Sequence, residues 1–84
     1  MFHAEMKYIV ISINGIECSI IFDTFISHSE MAKNFNVISA GFLNVYDKDG
    51  KIAVGCYGKS DTLKIKAREE IDSALIQRRL IYVP

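Results

Sequence analysis

The stretch Ala53-Val54-Gly55-Cys56-Tyr57-Gly58-Lys59-Ser60 ends as a phosphate-binding loop ends, and with Ala allowed for the first glycine it fits the whole eight-residue pattern. In such a loop, glycine-rich backbone N–H groups face phosphate oxygens at the start of a helix, and the lysine reaches the outer phosphates. The loop needs a buried parallel strand before it and a helix directly after it. Here the preceding run belongs to a tight hairpin, and the following Asp61-Thr62-Leu63-Lys64-Ile65-Lys66 alternates as a strand does. No second carboxylate-bearing strand stands ready for a magnesium ion. The expected role of the glycines is a bulge at Gly55 and a strand-to-strand bend at Gly58. That leaves Gly58-Lys59-Ser60 as a flexible cationic corner beside Tyr57.

Lys59, Lys64, Lys66 and Arg68 fall within ten residues, with Tyr57 and Ser60 beside them. Lysines on one face with an aromatic ring nearby can hold a phosphate backbone and stack a base. Lysines on an outer strand also discourage edge-to-edge pairing, and Asp61, Glu69 and Glu70 dilute the positive charge. A solvated edge is the stronger reading. A binder of a phosphorylated ligand or nucleic acid through Tyr57, Lys59, Ser60, Lys64, Lys66 and Arg68 is the alternative.

Asp23, Ser27, His28 and Ser29 supply the residue types of a Ser-His-Asp triad. A triad needs a strained nucleophile loop and an oxyanion hole, and Ser27 is claimed by a helix cap. Asp47-x-Asp49-Gly50 opens like a calcium loop, but its glycine comes two positions early and no glutamate closes it. Cys18 and Cys56 are far apart with no C-x-x-C, and His3 and His28 are the only histidines, so no zinc set forms. Two buried free thiols and a reducing compartment are expected. No catalytic residue, cofactor or metal is expected.

The elements that must position these residues start with Met6–Phe22. Two β-rich runs flank Asn14-Gly15, a pair suited to both positive-φ positions of a type I′ turn. That register sets Ile9, Ile11, Ile13, Ile16, Cys18 and Ile20 on one face, the core face. Tyr8, Val10, Ser12, Glu17, Ser19 and Ile21 form a mixed face, partly wet or covered by something small. Ser27 and Glu30 stand at capping-box spacing, and Ile26 and Met31 at staple spacing, which predicts a helix over 28–35 with Ala32 and Phe35 inward and Asn36 as its stop. A second hairpin spans 37–57. Its turn, Asp47-Lys48-Asp49-Gly50, fits a two- or four-residue loop that aligns Leu43 and Val45 with Ile52, Val54 and Cys56. It also fits a three-residue loop with a bulge at Gly50 that aligns Phe42 and Tyr46 there, and the local sequence slightly favours the bulge. Residues 62–66 read as a short strand with Leu63 and Ile65 inward and Lys64 and Lys66 outward. Ala67, Ile71, Ala74 and Leu75 then form the inner stripe of an amphipathic helix, with acids in its first turn and arginines near its last.

The order β-β-α-β-β-β-α implies one α+β domain over residues 1–84. Its expected form is two layers: a mainly antiparallel sheet of about five strands with both helices on one face. The chain has 84 residues, half of them hydrophobic, with zero formal net charge. That balance argues against a surface that seeks nucleic acid as a whole. No apolar run approaches the ~20 residues of a membrane helix, and Glu5 and Lys7 interrupt the place where an export signal has its apolar core. A soluble cytoplasmic protein is the expectation.

The runs IIFDTFISHSEMA, VISAGF and GCYGKSDTL together resemble a pattern in small uncharacterised proteins of phages, prophages and mobile gene cassettes. The likeness covers residues 19–65 and includes Ser27, His28, Ser39, Gly41, Gly58 and Ser60. It implies an accessory role, such as an inhibitor or adaptor that binds a host protein, and it carries no activity. The apolar tail Leu80-Ile81-Tyr82-Val83, together with Tyr8 and Ile21, adds surface that a small sheet commonly covers by self-pairing. The leading expectation is a non-enzymatic protein–protein interaction module, homodimeric through these residues.

Overall fold

A computed structural model describes residues 3–80 and, at Leu80, the backbone alone. Ile81, Tyr82 and Val83, expected at an interface, lie outside the described residues. The elements are β1 (His3–Ile13), β2 (Ile16–Phe22), α1 (His28–Met31), β3 (Val37–Lys48), β4 (Lys51–Tyr57), β5 (Lys59–Ser60), β6 (Ile65–Lys66) and α2 (Glu69–Leu80). The class is α+β and the order is the expected one. The strands divide between a four-stranded antiparallel sheet, β2-β1-β3-β4, and a two-stranded ribbon, β5-β6.

Local turn chemistry sets both hairpins. Asn14 and Gly15 take φ of 52° and 80°, and β1 pairs with β2 from Ile13↔Ile16 to Lys7↔Phe22, as the Asn-Gly pair requires. In the second hairpin Asp49 and Gly50 take φ of 53° and 80°, so Lys48 pairs with Lys51, Val45 with Val54 and Leu43 with Cys56. The bulged register is therefore overturned. Asp-Gly is itself a type I′ pair, and it closes the hairpin without the extra residue. Gly55 pairs regularly with Asn44 and forms no bulge. An irregularity lies instead where β1 meets β3: Val10 faces Ser39 and Ile11 faces Val37, leaving Ile38 as the additional residue.

Alternation along β1 feeds two cores. Tyr8 and Val10 join Leu43, Val54, Cys56 and Ile76 of α2 on one face. Ile9 and Ile11 join Phe22, Ala32 and Ala40 on the other, packed by Leu63 and Ile65. The sheet is thus a middle layer. α2 covers one face, while α1 and the β5–β6 segment cover the opposite one, rather than both helices sharing a face. The face expected to be mixed is sealed at its centre.

Three sequence-based details change. The capping box at Ser27 and Glu30 forms, but α1 is one turn long. The helix ends at Ala32 rather than near Asn36, Asn34 at φ 71° bends the turn that follows, and Phe35 is left 45% exposed. Residues 61–64 are a turn closed by Lys64 N–H donating to Ser60 O at 2.8 Å, so the strand shrinks to Ile65–Lys66. Leu63 and Ile65 still point inward, and Lys64 and Lys66 outward. On α2 the inner positions are Asp72 and Ile76, with Ile71 58% exposed. The apolar stripe misplaces this face because a carboxylate occupies its centre. No helix among the described residues is long and apolar enough to cross a membrane.

Candidate functional site

Gly58 takes φ 78° and bends the chain from β4 into β5, as its place in the sequence predicts. No helix follows Lys59-Ser60, so there is no phosphate-binding loop. The bend lays residues 57–67 against β3: Ala67 N–H donates to Gly58 O at 3.0 Å, and a Cβ on Gly41 would meet Tyr57 O at 2.6 Å. Gly41 therefore permits a close approach that a larger residue would block.

The basic strip is only partly assembled by this geometry. Lys59, Lys64 and Lys66 are exposed and line a depression of about 300 Å³ with Asp61. Ser60 is buried, and its Oγ accepts the Leu63 N–H at 3.1 Å, a structural duty. Arg68 is turned away altogether. Its guanidinium donates to both Glu17 carboxylate oxygens at 2.8 and 3.2 Å and to Asp72 Oδ1 at 2.9 Å. Tyr57 stacks on Phe42 with ring centres 5.9 Å apart, and its hydroxyl donates to Glu5, a bond that pushes its pKa up to about 12.

Sequence reasoning missed the network that takes Arg68. Asp72 is fully buried and accepts from the Tyr8 hydroxyl at 2.6 Å, from Arg68 N–H at 2.9 Å and from its guanidinium. Burial and this bond drive the Tyr8 pKa far above the usual phenol value. Hydrogen bonding to Arg68 holds Glu17 below the usual carboxylate range. Tyr8, expected at an interface, is instead a core residue with no surface to offer. The one available signal was Asp72 four residues after Arg68, an i, i+4 pair of opposite charge.

His28 does not build a triad. Its Nε2 bonds the Gly41 carbonyl at 2.8 Å, and Ser27 Oγ serves Glu30 and Ser29. Burial, assisted by the nearby Lys7 charge, pulls its pKa below the ordinary histidine value. Cys18 and Cys56 are both free thiols, Cys56 buried and Cys18 half-buried, and burial pushes the Cys56 thiol up.

The sheet edges complete the surface. Along β4 the outward groups are occupied: Cys56 N–H donates to Ser73 Oγ at 2.8 Å, and Val54 N–H donates to Gln77 Oε1 at 2.8 Å. Gln77 Nε2 in turn donates to the Ile52 carbonyl. Along β2 the two-residue hairpin turns the N–H and C=O groups of Glu17, Ser19 and Ile21 outward. Among the described residues nothing hydrogen-bonds to them. Ile16 is 64% exposed at the start of this strand, and Ile21 retains some exposure near its end. No family model, curated protein or solved structure matches this chain.

Proposed function

We propose that this chain is a non-enzymatic protein–protein interaction module that pairs with a second copy of itself along the open edge of β2. The observation that carries this reading is the unpaired row at Glu17, Ser19 and Ile21, in a strand without Lys, Pro or bulge to repel a neighbour. Glu17, the one charge on it, is already engaged by Arg68.

A two-fold axis at Ser19 suits the strand. Ser19 then faces its own counterpart, Glu17 faces the partner's Ile21, and Cys18 faces the partner's Ile20. No like charges meet, and the half-buried face carrying Cys18 and Ile20 continues across the junction. Two short strands bury less than the ~1,600 Å² of a standard interface, so a micromolar dimer is expected. The accessory role that the resemblance implies also fits this edge, with a strand of a host protein in place of the second copy.

The test is a charge swap on the axis. Ser19→Lys and Ser19→Glu place like charges opposite one another, and each is expected to weaken the dimer about tenfold or more in sedimentation equilibrium. A one-to-one mixture of the two variants restores association. Wild-type protein that stays monomeric at high concentration would end the proposal. Equal association by both variants and their mixture would remove the axis from Ser19.

A further inference from the structure

Lys7 is half-buried on β1, where its ammonium donates to the Ile26 carbonyl at 2.9 Å and lies 5.9 Å from the centre of the Phe42 ring. Among the described residues no carboxylate lies within ion-pair distance of it. A lysine drawn into a fold normally has an anion to meet. Lys7 lines a cleft of about 200 Å³, shared with His28, Lys59 and Thr62. The Lys59 ammonium stands 3.8 Å from Asp61 in a pair exposed on both sides, which is weakly held and easily redirected.

His28 adds an unusual requirement. Its ring is clamped edge-on by Phe22 and Phe42, with centres 5.6 Å away in each case. Nε2 donates to the Gly41 carbonyl, so it keeps its hydrogen, and in the neutral ring Nδ1 is a bare acceptor. Nδ1 has no partner among the described residues. His28 is 4% exposed and lines the cleft, so part of its ring reaches the cavity. The charges around the ring are Lys7 from β1, and Lys59 and Asp61 from β5 and its turn. The cleft is therefore lined by two lysines and by the ring that carries this free acceptor.

We propose that this cleft binds a phosphate monoester, with Lys7 and Lys59 on its charge, Thr62 donating to an oxygen, and one proton shared between a phosphate oxygen and His28 Nδ1. The shared proton sets the ligand class. A phosphate monoester has its second pKa near 6, so at pH 6.5 about a quarter of it still presents one P–OH to Nδ1. Sulfate and carboxylates have no such proton to give there. The volume sets the size. It falls below the ~300 Å³ at which sites for whole drug-sized ligands begin, so the cleft holds the phosphate and the first atoms of the ester. Phe42, which lines the cleft and is backed by Tyr57, offers the remainder of an aromatic ester an apolar wall. Asp61 opposes any anion here, and its repulsion is the cost of this arrangement.

This site shares no residue with the β2 edge, so the two proposals stand or fall apart. The test is titration of the wild-type protein with inorganic phosphate, phenyl phosphate and inorganic sulfate, in a buffer free of other oxyanions. It is followed by NMR at the His28 imidazole and the Lys7 and Thr62 amides. At pH 6.5 phosphate and phenyl phosphate are expected to saturate these signals at least about tenfold more tightly than sulfate, the effect of one unmet hydrogen bond. Once acid protonates His28, whose pKa burial holds below the ordinary histidine value, Nδ1 becomes a donor and the preference narrows. Lys59→Ala, at an exposed position that leaves the core alone, weakens phosphate severalfold, and Asp61→Asn tightens it. Tighter binding of phenyl phosphate than of phosphate identifies an ester, and the reverse identifies the free ion. Equal affinity for sulfate and phosphate at pH 6.5, or shifts that spread over all exposed lysines without saturating, would overturn the proposal.

Discussion

The two edges of the four-stranded sheet are treated in opposite ways. Along β4, α2 lays Ser73 and Gln77, four residues apart on one side of the helix, against the outward backbone groups of Ile52, Val54 and Cys56. Along β2, the equivalent groups of Glu17, Ser19 and Ile21 meet nothing among the described residues. An edge strand is a template for pairing. The fold closes one template with side chains that imitate a fifth strand and leaves the other open. Hydrogen-bonding capacity, more than apolar area, distinguishes the two edges.

The closed edge depends on how α2 is docked, and the largest expected effect comes from breaking that dock. Asp72 is buried, and it ties Tyr8 of β1 to Arg68 ahead of the helix. Asp72→Ala leaves the Tyr8 hydroxyl unpaired and an arginine without one of its two carboxylates. A loss of about 3–5 kcal/mol is expected in urea unfolding, enough to empty the native state of a domain this small. Tyr8→Phe removes one bond of the same network and is expected to cost about 1–2 kcal/mol, which keeps the comparison measurable where Asp72→Ala does not fold. If both variants unfold at the wild-type midpoint, the network does not hold α2.

This dependence marks how far the sequence could be read. Asn14-Gly15 and the Ser27–Glu30 box act over two to four residues, and each fixes its element without help from the rest of the chain. Asp49-Gly50 carried the same local signal, obscured because Asp47-Lys48-Asp49-Gly50 also fits three- and four-residue loops. Asp72, Ser73 and Gln77 are different. Each is polar at a position that apolar periodicity treats as outside, and each is satisfied by an atom at least 17 residues away. These distant partners exist only once the sheet has formed, so beyond the Arg68–Asp72 pair no local pattern could name them. The cleft shows the same limit. Lys59 was legible as a cation, but Lys7 and His28 meet it only because the bend at Gly58 folds β5 back across β3.

A middle-sized effect is expected from opening the closed edge while α2 stays in place. The double variant Ser73→Ala, Gln77→Ala removes the acceptors of Val54 and Cys56 N–H without touching Asp72 or Ile76. Water can reach part of this edge, so a loss of about 1–2 kcal/mol is expected. The more telling readout is association. With both edges open, each molecule can pair at two sites, and sedimentation is expected to move from a closed dimer toward open-ended oligomers. If the variant associates no more than wild type, edge capping by α2 is not what limits assembly.

The smallest effect is the most direct comparison of the two edges, because it changes no residue. In dilute protein the outward amides of Val54 and Cys56 are hydrogen-bonded to Gln77 and Ser73, whereas those of Glu17, Ser19 and Ile21 face solvent. Native-state hydrogen exchange is expected to protect the first pair at every concentration. The second set exchanges quickly in the monomer and gains protection as concentration rises through the dimer range, with Ser19 at the centre gaining most. The inward amides of Cys18 and Ile20 already pair with β1 and serve as internal references on the same strand. Protection that rises equally on both edges would mean that association uses some other surface. Protection confined to the β2 row ties the open edge to the assembly, because a general stabilisation would slow exchange at Cys18 and Ile20 as well.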